Sequence, residues 1–424
     1  MEANRNLADA LSEAGLTQAE LAEAVNDYLR SLGKEGTVSD RTVRHWLTGK
    51  TRWPHPRQRE ALETVFGCTA EELGFMPPAG RRTASSSPEE DSVHRRKFIT
   101  AATGTTAAAV SLVAAARPYA VGTTDVIRLR NGLDTLTALD ASRGGHEALE
   151  RAALAGAAEA LELQKRAASQ RIRQRLFGVA ANYTASAAWS AVDARQSDRA
   201  QGHLNRALYL AGMGKDPVAL LRVWNSHAVL ARQRQEFPQA LDAGQAAQAT
   251  TVTRRDPLFA SLAHARTAIG HSSVGDRRGA LRSLGHAEEA LAKAPREEPR
   301  PSWVAFYGPA ELLAITAIVR DGIGDAAGAE AASHRALAAI PQQFRRNRAL
   351  ATLQLALAQL HQRDVDQACA TAEQVFVLMH GSALPGRMRS YLGDFYRDLT
   401  TIAPDSRAAR EWKDRHRSEW SQAR

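Results

Sequence analysis

Cysteine is nearly missing from this chain. The two present, Cys68 and Cys369, stand some 300 residues apart in a sequence of 424, which excludes a disulfide framework and a cysteine metal knuckle. A reducing, cytoplasmic setting is expected. Aromatic residues are scarce at 6%, against abundant alanine, a balance that disfavours a β-sandwich and favours closely packed helices. Lysine is rare as well. Only seven of the 55 basic residues are Lys, so the net charge of +9 is carried by arginine. A basic balance leans toward an acidic partner without identifying one. Long apolar runs are also lacking. The uncharged stretch at 99–116 has eight Ala, four Thr, one Gly, one Ser and four large aliphatics. A membrane span needs about 20 predominantly apolar residues.

Catalytic signatures are thin. The segment "AGMGKDP" at 211–217 has neither the upstream glycine of a phosphate loop nor a Ser/Thr after Lys215. The thirteen histidines show no H-x-x-x-H pair and no cysteine partner at ligand spacing, and no G-x-S-x-G elbow occurs. The expectation is a protein without enzymatic activity, metal or cofactor.

What is present is organisation. Residues 1–76 read as five short helices. Leu7 and Leu11 mark the first, in an amphipathic start unlike a cleavable signal. Thr17 with Glu20 makes a capping box for the second, and Ser39 or Asp40 caps a third that ends at Gly49. Pro54 and Pro56 suit the start of a fourth, and Thr69 with Glu72 repeats the capping box for a fifth. Residues 77–124 read as a linker, "PPAGRRTASSSPEEDS" running into the alanine-rich stretch. Residues 125–424 read as helical repeats. Ala188, Ala200 and Ala207 are spaced by twelve and seven. The spacing returns at Ala228/Ala240/Ala247, Ala268/Ala280/Ala287, Ala317/Ala329/Ala336 and Ala356/Ala368/Val375. In four of the five units an acidic or amide residue with a turn former precedes the second small residue. Small residues at fixed positions let two antiparallel helices approach closely, each pair stacking on the next.

Charge is sorted along the head. Residues 1–40 hold eight acids against three Lys/Arg, whereas residues 41–59 hold six Lys/Arg, two His and no acid.

Two resemblances follow from these residues. "LTQAELAEAV" and "VSDRTVRHWLTGK" resemble the helix-turn-helix of the phage-repressor and Cro class, with Thr17-Gln18, Leu21-Ala22, Ser39, Thr42-Val43, Trp46 and Gly49 carrying the match. The segment "NDYLRSLGKEGT" is longer than the family's usual turn between the second and third helices. The small-residue spacing resembles the tetratricopeptide repeat over roughly 180–380, with Pro341 at the family's terminal proline. The fold implied is all-α, a repressor-type head joined to an α-solenoid. The architecture resembles peptide-responsive bacterial transcription regulators.

By that resemblance the third helix enters the major groove of duplex DNA. Asp40, Arg41, Arg44 and His45 would face bases, and Gln18, Thr48, Lys50 and Arg52 would hold phosphates, with Arg57 and Arg59 nearby. Val43, Trp46 and Leu47 are expected to face the core. Such heads read two half-sites, so a homodimer is expected. The repeat groove would take a peptide or protein through Asn182, Trp189, Arg222, Asn225, Arg232 and Arg266. The insert "PREEPRPSWVAFYGP" would be a lip over that groove or a packed loop. The competing expectation is a non-catalytic adaptor whose head docks protein. "HRRKFI" also resembles a twin-arginine export signal through Arg95 and Arg96, but it lies some ninety residues inside the chain. A helix packed on the repeats or on a second protomer, rather than a membrane, is the expected fate of 99–116.

Overall fold

The computed structural model describes residues 4–14, 16–66, 68–77, 121–143, 147–166, 168–295, 300–380 and 384–421. The twin-arginine pair and the stretch 99–116 lie outside the described residues. Every regular element among those described is helical, with no strand. The chain divides into two compact units, Met1–Thr123 and Thr124–Arg424.

The first unit contains α1 (Arg5–Glu13), α2 (Gln18–Ser31), α3 (Asp40–Leu47) and α4 (Pro56–Phe66). The Thr17 backbone N–H donates to Glu20 Oε2 at 2.7 Å while the Glu20 N–H reaches Thr17 Oγ1 at 3.4 Å, a reciprocal cap that fixes where α2 begins. The expected fifth helix is a single turn. Its capping box does form between Thr69 and Glu72. Gly74 then takes φ +78° and ends the turn, and the Phe75 N–H donates to Ala70 O at 3.0 Å. Leu7, Leu21, Val25, Val43, Trp46, Leu62, Leu73 and Phe75 form the core. Trp46 meets Phe75 edge to face at 6.4 Å.

The second unit stacks helix pairs. After α5 (Thr123–Arg143) and α6 (Glu147–Gln164) come α7 (Gln170–Asp193) with α8 (Ser197–Gly214), α9 (Pro217–Gln233) with α10 (Phe237–Ala249), and α11 (Pro257–Ser273) with α12 (Arg277–Ala292). Next are α13 (Pro309–Gly322) with α14 (Ala326–Ala339), α15 (Arg345–His361) with α16 (Val365–Leu378), and α17 (Gly386–Ile402) with α18 (Arg407–Ser421). All fifteen positions of the small-residue spacing are buried, thirteen of them wholly so, at the seam within each of the five pairs from α7/α8 to α15/α16. Each first helix from α7 to α15 also packs on the first helix of the next pair. Among the described residues, second helices make such substantial contact with one another only at α16 and α18. First helices therefore lie closer together and line the inner curve. The array coils far enough that α17 touches α7. His361 helps seat α17: its Nδ1 is 2.7 Å from Asp321 on α13 and its Nε2 3.5 Å from Asp398 on α17. Those two carboxylates push the imidazole pKa up to about 10.

One backbone device recurs in all five pairs. The residue seven beyond the first small residue is left-handed: Arg195 (φ +63°), Gln235 (+63°), Gly275 (+80°), Gly324 (+79°) and Arg363 (+68°). The next residue is the N-cap of the second helix, and at Asp276, Asp325 and Asp364 its carboxylate accepts a backbone N–H. Three L-residues sit where glycine is unstrained, at about 1–2 kcal/mol each. Gln235→Gly is expected to raise stability by about 0.5–1 kcal/mol, once glycine's greater unfolded-state entropy is offset. A Cβ at Gly275 would meet nothing within 4 Å, so Gly275→Ala should cost about 1 kcal/mol from conformation alone. Urea unfolding midpoints of the two variants, moving in opposite directions, check this.

Candidate nucleic-acid interface

The third helix has two unlike faces. Val43 and Trp46 are wholly buried, while Asp40, Arg41 and Arg44 are exposed and His45 is half-buried. Ser39 fixes the start of α3, exchanging hydrogen bonds with Thr42 in which each backbone N–H reaches the other's hydroxyl at 3.4 Å. Arg41 and Arg44 are three residues apart and so share a helix face, with His45 beside them. Lys50, Arg52 and Arg57 follow, all exposed. Among the described residues none of Arg41, Arg44, Lys50, Arg52 and Arg57 makes an ion pair or a side-chain hydrogen bond. Arg59 lies over the Trp53 ring at 4.3 Å.

Several acids of the unit are occupied elsewhere. Asp27 pairs with Arg30, Glu60 accepts the Tyr28 hydroxyl at 3.1 Å, and Glu63 accepts the Ala70 N–H at 3.0 Å. Glu20 and Glu72 serve their caps. The result is a row of unneutralised cations on and just after α3, with carboxylates drawn into bonds on α2, α4 and the final turn. Of the remaining expected phosphate ligands, Gln18 is half-buried at the first turn of α2. Thr48 is exposed, and its hydroxyl donates to Arg44 O at 2.8 Å.

The long segment between α2 and α3 is pinned. Asn26 accepts the Val38 N–H at 2.9 Å and donates to Val38 O at 2.7 Å, satisfying both backbone groups of one residue. Gly36 lies so close to Asn26 that a Cβ there would come within 2.7 Å of the Asn26 Cβ. The extra residues thus carry an anchor of their own. No spacing rule pointed to Asn26; an asparagine facing a longer loop was the available signal.

The expected groove residues meet inside the second unit, on the inner curve. The Arg222 guanidinium donates to Asn182 O at 3.0 Å, Asn182 Oδ1 at 3.1 Å and Ser186 Oγ at 2.8 Å. Burial pushes it down to about 10, against the pull of Asp140 and Asp134. Arg266 Nε donates to Asn225 Oδ1 at 2.7 Å, and Arg232 Nη1 reaches the Tyr391 hydroxyl at 3.4 Å. Trp189 lies 5.3 Å beneath Arg387. The described part of the insert, residues 300–309, packs down and also borders the groove. Trp303 and Tyr307 are buried, Trp303 lies 5.5 Å from the Arg222 guanidinium, and the Tyr307 and Ser261 hydroxyls are 2.7 Å apart. Arg346, Arg387, Tyr391 and Glu311 complete this interior, and no sequence signal marked them.

Cys68 and Cys369 are free thiols, and burial pushes both above the usual range, Cys369 to about 11. No helix among the described residues is long and apolar enough to cross a membrane. No group of three or more His, Cys, Asp or Glu among them could hold a metal ion.

The SP15 N-terminal domain family matches residues 7–74, the span from α1 through the Thr69–Glu72 turn. The match covers the head alone. No curated protein matches the chain.

Proposed function

We propose that the chain is a DNA-binding transcription regulator. Its α3 reads the major groove, and its helical-repeat unit serves as the dimerising body. One observation carries the reading: a helix with a wholly buried Val43/Trp46 face presents unpaired Arg41 and Arg44 on the opposite face. Each guanidinium can bond guanine O6 and N7 in pairs, at about 1–3 kcal/mol of discrimination. Lys50, Arg52 and Arg57 continue the positive row to where the duplex backbone would pass, and Asp40 can accept from cytosine N4.

A mobility-shift assay on genomic fragments, with Arg41→Ala and Arg44→Ala beside the parent, tests this. Each variant is expected to lose about 10-fold or more on preferred fragments while keeping weak general binding. Lys50→Ala should weaken every fragment alike and lower the salt slope by about one. If the two arginine variants shift all fragments as the parent does, base reading by α3 is wrong. If the parent's binding ignores salt, the adaptor reading replaces this one.

A further inference from the structure

The inner curve of the repeat unit gathers more positive charge than it neutralises. Four guanidiniums reach it from four helices: Arg232 (α9), Arg266 (α11), Arg346 (α15) and Arg387 (α17). Arg222 of α9 is a fifth, and three carboxylates answer them, the first being Asp140, which lies in the field of Arg346, Arg222 and Arg387. Asp193, almost wholly buried, pairs with Arg346 and lies 3.4 Å from Arg387 Nε. Glu311 sits within the field of Arg266 and Arg387, yet burial still raises its carboxyl above the usual range. Two positive charges are left over.

The hydrogen bonds are incomplete in the same place. Arg266 spends Nε on Asn225, and among the described residues its two terminal nitrogens meet no acceptor. Arg387 has its ion pair with Asp193 but no hydrogen bond among the described residues, and Arg232 has a single long bond from Nη1. All three side chains are partly buried, and guanidinium donors left unmet in a recess of lowered dielectric favour an anion. Tyr391 records the field. Burial by itself would raise its phenol, but Arg232 and Arg387 hold it below its usual value. The phenol O–H is also a donor placed among the guanidiniums.

We propose that this interior is a binding site for a doubly charged phosphate group, held by Arg232, Arg266 and Arg387 with Tyr391. The forked guanidinium matches two oxygens of a tetrahedral oxyanion, and three forks from separate helices surround one. An anion here would tie α9, α11 and α17 together and so secure the contact by which α17 closes onto α7. This site is distinct from the DNA-facing helix, and its test uses no DNA, so either reading can fail alone.

The full-length chain is heated in about 10 mM inorganic phosphate, in about 10 mM glycerol 3-phosphate, and in sodium chloride of equal ionic strength. A rise in Tm of about 2–4 °C over chloride is expected. The phosphate arm alone would indicate the free ion, and a larger rise with the ester would indicate a phosphorylated metabolite. Arg266→Met and Arg387→Met should abolish the rise, Arg387→Lys should keep part of it, and Arg278→Met on exposed α12 should keep all of it. Isothermal titration with phosphate on the parent supplies a readout that does not depend on how well the variants fold. No rise over chloride and no heat of binding in the parent overturns the proposal. So does a rise that survives in both methionine variants.

Discussion

Asp193→Ala is expected to destabilise the repeat unit by about 3–5 kcal/mol, the cost of stranding buried charge. The carboxylate is 1% exposed at the last turn of α7 and faces Arg346 from α15 and Arg387 from α17. Arg346 also reaches Asp140 O at 3.4 Å, and burial pushes the Asp140 carboxyl up, against the pull of Arg346. Removing Asp193 leaves two guanidiniums that repel each other at the seam where α17 meets α7. That seam has little slack: a Cβ at Gly386 would come 2.9 Å from the Ala194 carbonyl carbon. In an Arg346→Met background the same substitution should cost less, because one stranded charge has gone. Chemical denaturation of the four corners of this cycle checks it. Additive costs within about 0.5 kcal/mol would mean that Asp193 acts through something other than this pair.

The contrast between that seam and the repeats shows what a sequence carries. The five helix pairs were legible because their physics is local and periodic. A small residue is needed wherever two helices touch, the twelve-and-seven spacing keeps it at the seam, and a capped turn fixes the hairpin. The head was legible for the same reason, since caps at Thr17 and Ser39 lie three residues from their partners. The capping box at Thr69 shows the limit. It specifies a start but not a length, and Gly74 ends the turn before a helix can form. The interior cluster obeys no period. Asp193 and Arg346 are 153 positions apart and meet only because the stack coils, and the coil depends on the summed tilt of every pair. Arg222, Arg232 and Arg266 were identifiable as inner-face residues from the alanine register. That they would share their space with Arg387 and Tyr391 of α17 was not readable from any local pattern.

Trp46→Ala is the second large effect, expected at about 3–5 kcal/mol, enough to unfold a unit as small as the head. Trp46 is wholly buried beneath the cationic face of α3, packed edge to face on Phe75. Its removal opens a large cavity between α3 and the final turn. Trp46→Phe should behave differently. The indole N–H is buried without a partner among the described residues, so phenylalanine loses volume but also loses an unmet donor. A net cost of about 1–2 kcal/mol follows. Hydrogen exchange read by mass spectrometry on peptides from 16–75 separates the two. Protection should vanish in the alanine variant and fall only modestly in the phenylalanine variant, while peptides from α7 to α16 keep theirs in both. The pair also tests what the arginines need. Arg41 and Arg44 remain in both variants, but only a folded α3 holds them at groove spacing. DNA affinity should therefore survive in Trp46→Phe, and Trp46→Ala should fall to weak, salt-sensitive binding without preference among fragments. Fragment preference retained by an unfolded Trp46→Ala head would show that the helix is not what reads the sequence.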